Sequence, residues 1–292
     1  MRYSLGHKER PCDRVGPVAA DQLTRAASEL NPDDRPPHNG ESNKAVHRTR
    51  VAVKKARAAL RLVEHADPAA AARAHQHLRE ISHALSGTRD HDAVLELVAW
   101  LLEHEARTNP ERRALRSLAD AHRRTEDPSP DELARLSQEL EQEAERIERL
   151  ISESASPETL TRGFRRSTLR AARAMRRFRK HPGVRTLHRW RRRTKDHLFQ
   201  CVLVQELAGR RLRRRVSRLK KLASTLGTLH DVALVGAFPD ARLGADPATT
   251  RFVVARAHAS LWRKARREGA RLFGPKAERA VRRVGKRLGN EA

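Results

Sequence analysis

Four basic side chains, His47, Arg50, Lys54 and Arg57, follow one another at intervals of three, four and three residues, and Arg61 extends the series by four more. On a helix such spacing stacks all five on one face. At a rise of about 1.5 Å per residue they form a cationic line about 20 Å long. Guanidinium groups offer forked donors to phosphate oxygens, and ammonium groups act as point charges. The chemistry on offer is the gripping of a phosphate-rich polyanion. His188, Arg191 and Lys195 repeat the pattern further along the chain.

The repetition is wider than those residues. With a shift of 141 positions and no gap, His47 falls on His188, Arg48 on Arg189, Arg50 on Arg191, Lys54 on Lys195 and Leu62 on Leu203. Downstream, Arg73 falls on Arg214, Leu78 on Leu219, Leu85 on Leu226 and Asp90 on Asp231. The His-to-Asp distance is 43 residues in both halves. This reads as a duplicated helical unit.

The elements that must carry these residues are helices. Aromatic residues make up only 3% of the chain, so Leu, Val and Ala must form the core, and such a core favours helix-on-helix packing over sheets. The class expected is all-α, with no strand candidate. Residues 1–16 read as a loose leader, and Pro17 starts a helix to about Leu30. A signature helix covers about Lys44 to His65. Asp67-Pro68 breaks it and starts another to Ser86, and Thr88 caps the next. Helices from Pro110 and from Asp131 to Ser152 complete a first lobe, residues 17–154. The second lobe, 157–290, opens with a helix carrying Arg165, Arg166, Arg170 and Arg173. The second signature helix runs from Val184 to about Leu207, and a helix from Arg210 to Leu226 ends at Gly227, after which Thr228 and Asp231 open another. Two more span Ala248 to Phe273 and Pro275 to Leu288.

The formal net charge of +26 and a pI near 11.5 call for a polyanionic partner. The charge is uneven: residues 1–156 hold 25 Lys/Arg against 27 Asp/Glu, and residues 157–292 hold 37 against 9, so the second half is basic nearly all round. Two cysteines argue against a disulfide scaffold, and Cys201 reads as a small core residue. No apolar run reaches the roughly 20 residues of a membrane span, and the first residues lack a signal-peptide core. A cytoplasmic protein is expected.

Charge alone does not distinguish polyanions, so nucleic acid competes with polyphosphate as the partner. RNA recognition wants exposed aromatics, and most of those here occupy core-like positions. Trp190 is the exception, sitting among arginines, and its exposure would favour nucleic acid. His91-Asp92 and His230-Asp231 spell the dipeptide of helical metal-dependent phosphohydrolases. The two are not equivalent under the repeat, His91 falling on Val232 and Asp92 on Ala233. For His47 and His188 three roles stand open: donation to a phosphate oxygen, a helix-packing hydrogen bond, or a metal ligand. No His or Cys at i+4 completes a metal site. Asp90 and Asp231 read as orienting or capping carboxylates.

The pairing of V-H-x-x-R-V-x-x-K-K-x-R (Val46 to Arg57) with L-x-x-x-R-D-x-D (Leu85 to Asp92), echoed by L-H-x-x-R-x-x-x-K (Leu187 to Lys195) with L-G-x-L-H-D (Leu226 to Asp231), resembles the CHAD family, the conserved-histidine α-helical domain. Arg162 to Arg166, R-G-F-R-R, carries the same likeness. Ser86, where the family often has Gly, departs from it, and Thr194 and Asp196 to His197 interrupt the second basic run. The resemblance implies two helical bundles related by a pseudo-twofold, with a basic central groove or pore that binds inorganic polyphosphate without catalysis or cofactor, in association with polyphosphate granules. Only about 45 residues precede His47, too few for a companion triphosphate-tunnel barrel, so a stand-alone member is expected. The binding residues then expected are His47, Arg50, Lys54, Arg57, Arg89, Arg165, Arg166, Arg173, His188, Arg191, Lys195, Arg214, Arg218 and Lys221, with no metal.

Overall fold

The computed structural model describes residues 3–5, 11–31, 41–85, 89–122, 129–207, 209–274, 279 and 284. Among the described residues there are ten helices and no strand. They are α1 (Val15–Leu30), α2 (Glu41–Val63), α3 (Pro68–Ala84), α4 (Arg89–His104), α5 (Asn109–Asp120), α6 (Pro130–Ser154), α7 (Pro157–Lys180), α8 (Val184–Leu203), α9 (Gly209–Val235) and α10 (Pro247–Phe273). The helix expected over Pro275 to Leu288 lies outside the described residues except for Arg279 and Val284, both helical.

Local chemistry sets most of the helix starts. Asp67 accepts from the Ala70 amide ahead of Pro68, and Thr108 and Glu111 form a reciprocal capping box on α5. Ser129, Ser156 and Asp246 cap α6, α7 and α10 in the same way, each with proline in the first turn.

Apolar stripes then join the helices into one core. α1 lies along α6 and α2, α2 also packs on α7 and α8, and α10 closes against α9 and α5. Thr49 and Ser137 are buried and donate to the carbonyls of Ala26 and Ala27, tying α2 and α6 to α1. In the segment expected to be a loose leader, Tyr3, Leu5 and Cys12 are buried. The Tyr3 hydroxyl donates to Lys55 O at 2.9 Å and the Leu5 amide to Leu203 O at 3.0 Å.

One expected break is absent. α9 runs through Gly227 without interruption, so Thr228 and Asp231 sit in mid-helix. An interior glycine costs about 1 kcal/mol against alanine. Here Leu222, Leu226, Leu229 and Val232 keep one unbroken buried stripe across it, and burying them outweighs that cost. In the first half the corresponding region is divided between α3 and α4.

Candidate functional site

The buried stripe of α8 contains Leu187, Trp190, Thr194, His197, Leu198 and Cys201. Thr194 and His197, which interrupt the basic run in sequence, therefore belong to the core face. Arg191 and Lys195 are rotated off that stripe. On α2, Val46, Thr49, Val53, Ala56 and Leu60 are buried, which turns Lys44, His47, Arg50 and Lys54 the other way. The two helices cross antiparallel: Gln200 donates to Ala58 O at 2.9 Å, while Asp196, four residues earlier, meets Arg61 Nε at 3.4 Å.

Beside that crossing is a cleft of about 750 Å³. α2 lines it with Lys44, His47, Arg48, Arg50 and Lys54, α8 with Arg191, Lys195 and Phe199, α4 with Glu96 and α9 with Asp231. The pairs matched in sequence, Arg50 with Arg191 and Lys54 with Lys195, thus face one space. Arg50 is held in place by donating to Leu85 O at 2.7 Å, and Arg48 is paired with Glu29 at 2.8 Å. Arg191 lies over Gly227, its Nε 3.8 Å from where a side chain there would begin.

Other expected binding residues lie elsewhere. His188 is exposed at the end of a short chain of contacts: its Nδ1 is 3.2 Å from His230 Nε2, and His230 Nδ1 is 3.3 Å from Asp231. Asp231 sits within α9 and not at a helix start. Arg166 lines a hollow against the end of α2 and the start of α3, Arg165 a shallow one along α7 itself, and neither lines the cleft; Arg173, Arg214, Arg218 and Lys221 are exposed on α7 and α9. The side chains of Arg89 and Asp90 lie outside the described ones, as do those of His91 and Asp92. Among the described residues no three His, Cys, Asp or Glu side chains gather as metal ligands.

Arg57 parts from its neighbours on the line. It turns towards Arg61, Arg79, Arg192 and Asp196, and its Nε is buried with no hydrogen-bond partner. Burial and the charges of Arg61, Arg192 and Arg79 push its guanidinium down to about 10, with Asp196 opposing. Asp196 lies 3.4 Å from Arg61 and 3.5 Å from Arg193, so the residue that weakens the basic run in sequence is the counter-charge of an arginine cluster. Arg192 and Arg193 of that cluster, like Lys44 and Phe199 at the cleft, do not stand at matched basic positions. Arg61 had the spacing to be found, whereas Arg192 and Arg193 stand one and two residues beyond the matched Arg191.

Beyond the cluster, Glu64 accepts from Arg170 and lies 3.3 Å from His75, joining α2, α7 and α3. Burial alone would raise its carboxyl. The contacts with His75 and Arg170 and the charges of Arg170 and Arg61 overcome that, bringing it from 4.5 down to about 2. A depressed carboxyl stabilises the fold fully above its unfolded value, and that contribution is lost as pH falls through the folded one. Stability should therefore fall between about pH 4.5 and 2, and Glu64→Gln should remove that part of the slope in urea titrations followed by circular dichroism.

The CHAD domain family model matches residues 21–240, most of the chain and both signature helices. The chain belongs to the CHAD family. No curated protein matches it. Among solved structures, the crystal structure of the CHAD domain from the plant Ricinus communis aligns with a TM-score of 0.51 at 15% identity, covering 94% of this chain and 90% of that one. At that identity the likeness is one of fold. No described helix of this CHAD domain is long and apolar enough to cross a membrane.

Proposed function

We propose that this CHAD domain binds inorganic polyphosphate, without chemical turnover, in the cleft between α2, α4, α8 and α9. The observation that carries the reading is the meeting of Arg50 and Lys54 with Arg191 and Lys195 at one cleft. A linear polyanion gains most where cations from two elements converge, because each phosphate neutralised releases counterions. The convergence of positions 141 residues apart also supports two lobes, 17–154 and 157–290, related by a pseudo-twofold with the cleft between them. Glu96 and Asp231 also line the cleft. Association with polyphosphate granules in the cytoplasm follows from this reading.

Against nucleic acid, the aromatic whose exposure would favour base stacking is withdrawn. Trp190 is fully buried, packed near Phe178 and Gly269. Phe199 alone among the aromatics lines the cleft, and it is half-buried. A polyanion without bases therefore fits better than one that offers them.

The test is competition at near-physiological salt. Labelled long-chain polyphosphate is displaced by unlabelled polyphosphate, single-stranded RNA or duplex DNA at matched phosphate concentration. Polyphosphate should compete at least about tenfold better, a preference of roughly 1.4 kcal/mol. Equal competition by RNA or DNA would make the cleft a general polyanion surface.

A further inference from the structure

At the far end of α2 from the cleft, the first turn of α3 and one ridge of α7 enclose a second hollow of about 330 Å³. Arg162, Arg166 and Arg170, each four residues from the last, line it from α7, with Glu64 and His65 opposite. Arg170 is committed to Glu64. That leaves Arg162, exposed, and Arg166, half-buried, as the cations facing the space. His65 confirms their convergence. Its Nδ1 is buried with no hydrogen-bond partner, and after burial itself the charges of Arg162 and Arg166 are what push its ring below the ordinary value. Glu64 brings one negative charge to this wall, and Arg170, Arg61 and His75 already surround it.

The hollow is not isolated from the cleft. Lys54, at the cleft, and His65, at the hollow, are eleven residues apart on the same chain segment, about 16 Å along a helix axis. Arg57 and Arg61 lie between them, with Arg192 and Arg193 alongside from α8. A flexible polyanion leaving the cleft along this side of α2 meets Arg61, Arg192 and Arg193, with Asp196 among them as a counter-charge.

We propose that the hollow between α7 and the start of α3 is a second phosphate subsite, which takes one or two phosphate groups of a chain already seated in the cleft. This rests on the cleft reading above and adds a selectivity to it: long chains are held at two points and short chains at one. Tethering the second contact to the first makes it effectively intramolecular, so affinity rises with chain length more steeply than phosphate count alone requires.

The experiment measures tripolyphosphate and long-chain polyphosphate binding over a series of salt concentrations, using the full chain. In Arg162→Ala/Arg166→Ala, long-chain affinity should fall about tenfold as the second contact is lost. The log–log salt slope should become shallower by about 1.4, the equivalent of two phosphate contacts, while tripolyphosphate affinity stays as in the parent. Arg162→Lys/Arg166→Lys, which keeps both charges, should retain the slope. Unchanged long-chain affinity and slope in the alanine protein would overturn the proposal. An equal loss for tripolyphosphate would overturn it too, since that marks a weaker general field and not a second contact. Lys54→Ala/Lys195→Ala tests the parent reading separately. Undiminished tripolyphosphate binding by that protein removes the cleft, whereas the α7 result is read on long chains with the cleft intact.

Discussion

Replacing Arg50, Lys54, Arg191 and Lys195 together by alanine will take the log–log salt slope of polyphosphate binding from about −4 to about −1.4. A single-stranded polyanion gives a slope of about −0.7 per phosphate neutralised. About six contacts give the starting value, and removing four leaves two. The four side chains line one cleft from two helices, so their loss removes its cationic walls and leaves Lys44, His47 and Arg48, the last already paired with Glu29. Arg50 also donates to Leu85 O, and its truncation loosens the end of α3 as well as the cleft. The Lys54→Ala/Lys195→Ala protein separates the two effects: its slope should become shallower by about 1.4 with unchanged helicity by circular dichroism. A quadruple variant with parental slope and affinity would place the polyanion elsewhere on the basic surface.

Gly163→Ala will destabilise the protein by about 3 kcal/mol or more, although alanine is the better helix former by up to about 1 kcal/mol. The two expectations have opposite signs, which makes the experiment decisive. A Cβ at position 163 would sit 1.9 Å from Leu62 O and 2.6 Å from Leu62 Cα and C. These are backbone atoms in the last turn of α2, so no side chain can swing aside. The helices α2 and α7 would have to separate, and Phe164, buried next door with its ring 5.2 Å from that of His197, would lose its packing. For a domain of this size the melting temperature should fall by roughly 6 °C or more in a thermal scan. A rise instead would mean that the two helices do not cross at this point. The glycine of R-G-F-R-R is thus the contact that lets α7 bring its arginine ridge against α2, and the second phosphate subsite depends on it.

Where helices begin was legible in the chain because the physics there is local. Asp67 ahead of Pro68 satisfies an amide within its own first turn and α3 starts there, and α5, expected from Pro110, starts at Asn109. The all-α class followed from the scarcity of aromatics and the spacing of Leu, Val and Ala, since helical periodicity is also a property of neighbours. The cationic faces of α2 and α8 followed for the same reason. Which cations share a space was not local. Arg57 lies within about 20° of Arg50 around α2 but about 10 Å further along its axis. Because α8 crosses at Ala58, that advance along the helix carries Arg57 past the cleft and into the arginine cluster around Asp196. Gly227 reads as a stop from its own chemistry, yet the leucines packed on either side of it carry α9 through. Trp190 is surrounded by arginines in sequence and buried in space, because a helix sends neighbouring residues to different faces and only the packed partner determines which face is wet. The sequence alone therefore determined the helical class, most helix starts and the charged faces of α2 and α8. The tertiary crossings decided which of those charges meet, because rotation and distance between helices depend on packing contacts that no local spacing encodes.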